Sequence, residues 1–310
     1  MSFLTVRHST VYKYSEPVGL GEHRMMFRPR ESHDLRLIRV HLAITPQPAH
    51  FRWLHDPFDN SVAVATFEGT TANLRFDSVV TLEHFENSVP EYPLEHYARM
   101  YPFRYSDEDF PILERALAHH YRAETVAKWA LQFLDASDTT DTMKILRAMT
   151  HGIREQFVYT RRVEKGVQSP ETTLASKKGS CRDFAVLMME ATRSLGIAAR
   201  FVSGYVFAPG GSGISGGGAT HAWMQAYLPG AGWIDFDPTN SIIGNRNLIR
   251  VAVAWAPEQV LPLWGTYDGP ASAFVEMNVT VNVTSLAESN GSAPQSPAAL
   301  PPPPANPGVA

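Results

Sequence analysis

The sequence predicts an α+β protein, in which a β-rich N-terminal region precedes a core made of helices and an antiparallel sheet. Three observations lead to this prediction. Alternating and β-branched residues dominate residues 1–90, and apolar residues recur at spacings of three and four between 143 and 157. Residues 181–237 then combine a helical pattern with two alternating strands.

The composition of the chain limits its function classes. Its 310 residues carry a net charge of −4 without an extended basic run, which argues against a nucleic-acid partner. The length predicts two domains, or one large domain with an appendage. Charge interrupts the N-terminus too early for a signal peptide, and no apolar run approaches the roughly 20 residues of a membrane span. We therefore expect a cytoplasmic protein without a membrane partner.

The first 90 residues predict a β-sandwich-like domain. Strand patterns cover 4–14, 35–42 and 74–85, and two further strands flank a turn at 56–60 as a hairpin. Seven histidines are scattered here, but no two of them have a helical metal-ligand spacing such as HxxxH. We therefore predict neither a metal site nor a cofactor.

The remaining chain divides into three regions. Residues 91–141 predict a connector with helices at 112–121 and 125–134. Residues 142–285 predict the core of helices and antiparallel sheet together with the C-terminal strands. Residues 286–310 are rich in Pro, Ala and Ser and predict a disordered tail.

Two loops interrupt the predicted core. Residues 160–176 are polar, with a turn at Ser169 and Pro170, and lead to the single cysteine. Residues 209–218 are rich in glycine and predict a mobile lid or a long surface loop. Nucleotide binding is not expected, because a phosphate cradle is followed by a helix, whereas a strand follows here.

Cys181, the single cysteine, stands at the start of a predicted helix. Ser180 precedes it as an N-cap, apolar residues recur on one face up to Leu195, and Gly196 ends the helix. The positive end of the helix dipole favours a thiolate at this position. The alternative is that a lone cysteine is a small buried apolar residue, and its partners decide between the two.

A predicted hairpin downstream supplies such partners. Residues 220–228 alternate strictly, and residues 233–237 alternate after a glycine-containing turn. This alternation places His221 on the same sheet face as Asp235 and Asp237.

The pairing of these two strands decides which aspartate serves the histidine. If residues 228–232 form the loop, Gln225 opposes Asp235, and Asp237 lies one diagonal step from His221. That diagonal is about 7–8 Å between backbones, within side-chain reach, whereas Asp235 lies one residue pair further away. We therefore expect Asp237 to pair with His221, unless a bulge alters the register.

A cysteine at a helix start, a histidine on a neighbouring strand and an acid beside it are the parts of a nucleophilic catalyst. His221 would take or share the proton of Cys181, while Asp237 would fix the histidine tautomer and stabilise the imidazolium. The backbone N–H of Cys181 could donate to an oxyanion, a contact typically worth roughly 3–4 kcal/mol of barrier. We predict that these three residues are catalytic.

Three segments resemble the signatures of the bacterial transglutaminase-like, predicted cysteine-protease family: 179–185, 221–223 and 232–239. Residues 1–85 resemble the β-rich region that precedes such cores, and 250–253 and 265–269 resemble its C-terminal strands. The resemblance implies a papain-like α+β fold, in which the helix of the nucleophile packs on an antiparallel sheet that bears the other two groups.

The resemblance also implies roles for single residues. Cys181 is the nucleophile, His221 the base and Asp237 the third member of a triad. Transglutaminases often recruit an aromatic side chain for the oxyanion, and Tyr159 stands upstream of the cysteine where one would lie. Three further residues of the signature segments are candidates for supporting the triad or the oxyanion: Asp183, Trp223 and Asp235.

Two functions remain open. In the first, an enzyme attacks a peptide or protein amide with its thiol and passes the acyl group to water or to an amine, with hydrolysis slightly favoured. Similar proteins are associated with ATP-grasp peptide ligases, which by analogy suggests a peptide-modifying pathway. In the second, the chain is a non-catalytic protein-interaction module, since some transglutaminase-like folds have lost the triad.

Overall fold

Two main β-sheets and five α-helices make up the described part of the protein. The computed structural model describes residues 2–86, 92–121, 123–136, 139–162, 165–210 and 213–285, so the predicted tail at 286–310 lies outside the described residues. The strands are β1 (Ser2–Met25), β2 (Leu35–Thr45), β3 (His50–His55), β4 (Ser61–Thr66), β5 (Thr70–His84), β6 (Met100–Tyr101), β7 (Thr140–Asp141), β8 (Val158–Tyr159), β9 (Lys178–Gly179), β10 (Ala199–Val206), β11 (His221–Leu228), β12 (Gly232–Asp237), β13 (Ile242–Ile243), β14 (Leu248–Ala254), β15 (Leu263–Asp268) and β16 (Phe274–Ser285). The helices are α1 (Asp109–Leu117), α2 (Glu124–Leu131), α3 (Thr142–Gln156), α4 (Pro170–Ser176) and α5 (Cys181–Ser194).

The N-terminal sheet is organised around β1, a strand of 24 residues. Its first half lies between β5 and β16, and its second half pairs with β4 and β15. The pairing register shifts between Lys13 and Val18, where the two halves meet. Apolar side chains from both halves and from β4 and β5 share one buried cluster, which includes Tyr14, Met25 and Phe76. The predicted hairpin is present as β3 and β4.

The C-terminal strands β15 and β16 belong to this N-terminal sheet, although the sequence pattern grouped them with the core in residues 142–285. Val283 of β16 pairs with Val6, and Trp264 of β15 pairs with Arg24. The physical reason for the difference is that alternation predicts a strand but not its partner. Both halves of the long β1 have an edge free for a further strand, and β16 and β15 pair with these edges.

The core consists of α5 packed on the five-stranded sheet β13-β12-β11-β10-β14. Phe184 and Met188 of α5 share a buried cluster with Met224 of β11 and Phe201 of β10. Helix α5 ends where Gly196 adopts a φ of +72°, close to the predicted end. This is the α+β, papain-like arrangement that the sequence predicts. Among the described residues, no helix is both long and apolar enough to cross a lipid bilayer.

Helix α4 corrects the prediction of a polar loop at 160–176. The Ser169 side chain accepts a hydrogen bond from the Thr172 N–H, and Pro170 occupies the first turn, where its missing N–H costs nothing. The Ser-Pro pair that predicted a turn is therefore a helix start. Because α4 is only seven residues long, its apolar pattern is too short to predict a helix.

Candidate active site

Cys181 is the first residue of α5, and only 6% of it is exposed. Amides in the first helical turn have no acceptor within the helix. The capping box engages the Asp183 N–H with the Ser180 side chain, whereas the Cys181 N–H is not part of it. The cysteine also lies in the buried apolar cluster of the core. Burial alone would agree with a purely structural role for Cys181. The polar residues near it are therefore needed to judge whether it is a nucleophile.

Asp183 anchors the segment that carries this cysteine. Its buried carboxylate accepts hydrogen bonds from the Ser180 N–H and hydroxyl, both at 2.8 Å, and from the Arg162 guanidinium at 2.7 Å. It also accepts the Gln168 N–H at 2.7 Å. As a carboxylate it accepts rather than donates, so it cannot bind an oxyanion. Through these contacts, Asp183 holds the preceding segment, at Arg162 and Gln168, against the first turn of α5.

His221 and Asp237 meet where two neighbouring strands of the core sheet end: His221 is the first residue of β11, and Asp237 is the last residue of β12. His221 Nε2 lies 2.8 Å from Asp237 Oδ2, and both side chains are fully buried. The strands pair with Gln225 opposite Asp235, which is the register expected from the sequence. The same register keeps Asp235 away from the imidazole.

The carboxylate of Asp237 is held by two further donors. Its Oδ1 accepts the Thr239 N–H at 2.9 Å, and its Oδ2 accepts Asn240 Nδ2 at 2.8 Å. Both donors come from the turn that follows β12. The acid is therefore fixed in orientation before it meets the imidazole.

The electrostatics of the pair favour a protonated imidazole. Burial lowers the pKa of His221, but the Asp237 carboxylate, its hydrogen bond and the nearby Cys181 outweigh burial and raise the pKa to about 10. Nε2 is occupied by Asp237, and Nδ1 is buried without a hydrogen-bond partner among the described residues. Nδ1 is therefore the ring nitrogen that Asp237 leaves unoccupied, and Cys181 is close enough to the ring to raise its pKa.

Trp223 and Asp235 form a separate network behind the imidazole. The Trp223 ring stacks on His221 with 5.9 Å between ring centroids, and its Nε1 donates to Asp235 Oδ1 at 2.6 Å. Asp235 also accepts from Gln225 at 2.8 Å and from Arg250 at 3.2 Å. Asp235 thus orients the indole that supports His221, without touching the imidazole itself.

Tyr159 lies beside the helix start through the parallel pair β8–β9. It is paired with Gly179, two residues before Cys181. Burial and the electrostatic influence of Cys181 raise the pKa of Tyr159 to about 12, although Arg161 and Arg182 oppose the shift. The phenol therefore stays protonated at neutral pH and remains a hydrogen-bond donor.

No group of three or more His, Cys, Asp or Glu side chains in the described ranges is arranged to hold a metal ion. An imidazole and a phenol lie near the cysteine, and a carboxylate holds the imidazole. Side chains of these types can take part in nucleophilic and acid–base chemistry.

Two site residues escaped the sequence analysis. Asn240 stands three residues after Asp237, and its only signal is an Asn in a turn, which most often caps its own backbone. Gly216 belongs to the glycine-rich loop, and a Cβ built there would lie 2.6 Å from His221 Nδ1. One glycine among several carries no mark that distinguishes a close contact from a turn.

Two family models match the chain. The model described as transglutaminase-like superfamily matches residues 129–238, which include Cys181, His221 and Asp237. The model described as bacterial transglutaminase-like N-terminal region matches residues 4–83. Together they cover more than half of the chain.

Known proteins resemble the chain over nearly its whole length. The uncharacterized protein ML0607 of Mycobacterium leprae is 27% identical over 295 residues, which are 92% of this chain and 99% of that protein. The uncharacterized protein Rv2569c of Mycobacterium tuberculosis is 26% identical over 303 residues, 89% of this chain and 91% of that protein. A crystal structure of a "Putative Cysteine Protease" from Cytophaga hutchinsonii shares the fold, with a TM-score of 0.65, 17% identity, and coverage of 92% of this chain and 91% of that chain.

Proposed function

This chain belongs to the transglutaminase-like superfamily, and on that premise we propose that it cleaves or transfers peptide or protein amides through Cys181, His221 and Asp237. The observation that carries the proposal is the 2.8 Å contact between His221 Nε2 and Asp237 Oδ2. That contact commits one ring nitrogen to the acid and leaves Nδ1 for the thiol. A thiolate beside an imidazolium is the activated form of a cysteine nucleophile.

The first half of the proposed reaction forms a thioester. The Cys181 thiolate attacks the carbonyl carbon of the amide, and a carbon–sulfur bond forms. The carbonyl oxygen becomes an oxyanion, which accepts hydrogen bonds from the Cys181 N–H and the Tyr159 hydroxyl. The carbon–nitrogen bond then breaks as the nitrogen takes the proton from His221 Nδ1, and ammonia or an amine leaves.

The second half of the reaction releases the acyl group. Water or an amine attacks the thioester carbonyl while His221 Nδ1 accepts its proton, and the carbon–sulfur bond breaks to restore the thiolate. Water yields a carboxylate, and an amine yields a new amide. Hydrolysis is the slightly favoured outcome of this proposal.

A peptide-library assay tests the function directly. The full chain is incubated with the library, with and without an added amine, and cleavage, deamidation and amine incorporation are scored together by mass shift. We expect at least one of these changes with the parent protein and none with Cys181→Ala. In parallel, iodoacetamide should label Cys181 well below pH ~8.5, the value at which a free cysteine becomes reactive.

The competing interaction-module function makes the opposite predictions. In that case the library is unchanged by the parent protein, labelling of Cys181 rises only near the value of a free cysteine, and Cys181→Ala binds partners as well as the parent protein does. This combination of results would overturn the proposed enzyme.

A further inference from the structure

Asn240 binds the triad acid and the glycine-rich loop at the same time. Its Nδ2 donates to Asp237 Oδ2 at 2.8 Å and to the Ser215 carbonyl at 3.1 Å. Its Oδ1 accepts the Ser215 N–H at 2.7 Å. Nδ2 also lies 3.4 Å from His221 Nε2. Both ends of the amide are engaged, so the side chain cannot rotate without losing its hydrogen bonds to Asp237 and Ser215.

The loop segment that Asn240 holds lies against the Nδ1 side of the His221 ring. We call residues 214–217 the strap. Gly216 has a φ of +88°, and a Cβ at this position would lie 2.6 Å from Nδ1 and 3.2 Å from Cε1 of the imidazole. Ile214, at the other end of the strap, packs against the buried cluster that contains Trp223. The strap therefore borders the ring nitrogen that remains open.

We infer that Asn240 is a positioning residue that fixes Asp237 and the strap as one unit, so that the strap sets the space at the Nδ1 edge of His221. Nδ1 is the atom through which protons pass in the proposed reaction, and in this respect the inference rests on the proposed function. The hydrogen bonds of Asn240 to the strap do not depend on any reaction. The two parts can therefore be tested separately.

Amide exchange tests the hold on the strap without any substrate. In Asn240→Ala the Ser215 N–H loses its acceptor, so we expect its hydrogen exchange, followed by NMR, to accelerate about tenfold or more. The matched control is Asn282→Ala, which removes an exposed asparagine of β16. Unchanged protection of Ser215 in Asn240→Ala would overturn the inference, whether or not the protein is an enzyme.

Two substitutions of Asn240 separate positioning from mere support of the fold. Asn240→Ala loses the donor to Asp237 and should lower kcat/KM about 10- to 100-fold. Asn240→Asp is nearly isosteric but places a second carboxylate against Asp237, so its loss should be larger at pH 8. Two close carboxylates tend to share one proton, and the protonated carboxyl can then donate a hydrogen bond to its neighbour. The kcat/KM of Asn240→Asp should therefore rise towards that of Asn240→Ala as the pH falls to 5.

A loss that is equal in both variants at every pH would contradict this role for Asn240. If the parent protein acts on no amide, the proposed function fails, and the rate at which iodoacetamide labels Cys181 replaces kcat/KM in the same comparison. The hydrogen-exchange experiment then still tests whether Asn240 holds the strap.

A pair of glycines isolates the contact at Nδ1. Gly216 and Gly218 have nearly the same φ, +88° and +89°, so alanine brings similar backbone strain at either position. A Cβ at Gly218 meets nothing within 4 Å, whereas a Cβ at Gly216 meets the imidazole. We expect Gly216→Ala to change the labelling rate of Cys181 at least tenfold and Gly218→Ala to leave it near that of the parent protein. Equal effects of the two alanines would overturn the inference.

Discussion

At the scale of single residues, the protonation of His221 links the proposed chemistry to stability. The folded-state pKa is raised to about 10 despite burial, because Asp237 stabilises the imidazolium. A raised pKa contributes stability that is complete below the unfolded value of about 6.5 and is lost as the pH rises through 10. In the proposed reaction the same imidazolium supplies the proton for the leaving group. One ion pair would then serve both the fold and the reaction.

Asp237→Asn tests both consequences. It keeps the shape of the side chain but removes its charge, so kcat/KM should fall by up to about 10⁴-fold at neutral pH, as for a comparable change in a serine protease triad. The deficit in the free energy of unfolding should be largest below pH 6.5 and should shrink towards pH 10. Urea unfolding across this pH range measures it, and a deficit that is independent of pH would argue against the imidazolium.

At the scale of elements, β10 approaches β14 and the Trp223 indole of β11 closely beside the imidazole. Gly204 of β10 pairs with His221, and a Cβ there would lie 2.2 Å from the Ile249 carbonyl oxygen and 2.7 Å from the Trp223 ring. The indole that stacks on His221 therefore lies across a residue without a side chain. Only glycine at position 204 allows β10, β14 and the indole to meet in this way.

Gly204→Ala should therefore damage both the fold and the site. The overpacked core should cost about 1–3 kcal/mol or more of unfolding free energy, because backbone as well as side-chain atoms must move. Gly210→Ala is the control, since its Cβ meets nothing within 4 Å. Thermal unfolding of both variants measures the difference. Equal transition temperatures would show that β10 adjusts without strain.

The elements differ in how far the sequence could predict them. Two alternating segments and the turn between them predict the hairpin of β11 and β12. They also predict the pairing of Gln225 with Asp235, because the loop length sets the strand register. The ends of α5 followed from Ser180 and Gly196. The strap and Asn240 could not be predicted, because their contacts join segments through a loop whose path no periodicity describes.

At the scale of the whole molecule, Arg250 joins the N-terminal sheet to the core. Its guanidinium lies 2.9 Å from Asp34, just before β2, and 3.2 Å from Asp235 of β12. Burial alone would raise the pKa of Asp34, but Arg250 and the hydrogen bonds from Ser32 and Asn245 lower it. The N-terminal region is thus connected through Asp235 and Trp223 to the imidazole.

Arg250→Met tests this connection. It leaves two buried carboxylates without their cation, a loss that typically costs about 3–5 kcal/mol. In the background of Asp34→Asn the same substitution should cost less, because one of the two carboxylates is already neutral. Chemical unfolding of the four proteins gives the coupling energy. A coupling near zero would mean that Asp34 and Arg250 are independent.

The pairing of β16 with β1 has a consequence for synthesis. The N-terminal sheet is completed by β15 and β16, so a nascent chain still attached at residue 262 has neither of these strands to pair with β1. An unpaired strand edge of that length is a template for wrong partners. The hairpin of His221 and Asp237 leaves the ribosome earlier, so the core sheet can assemble before β15 and β16 complete the N-terminal sheet.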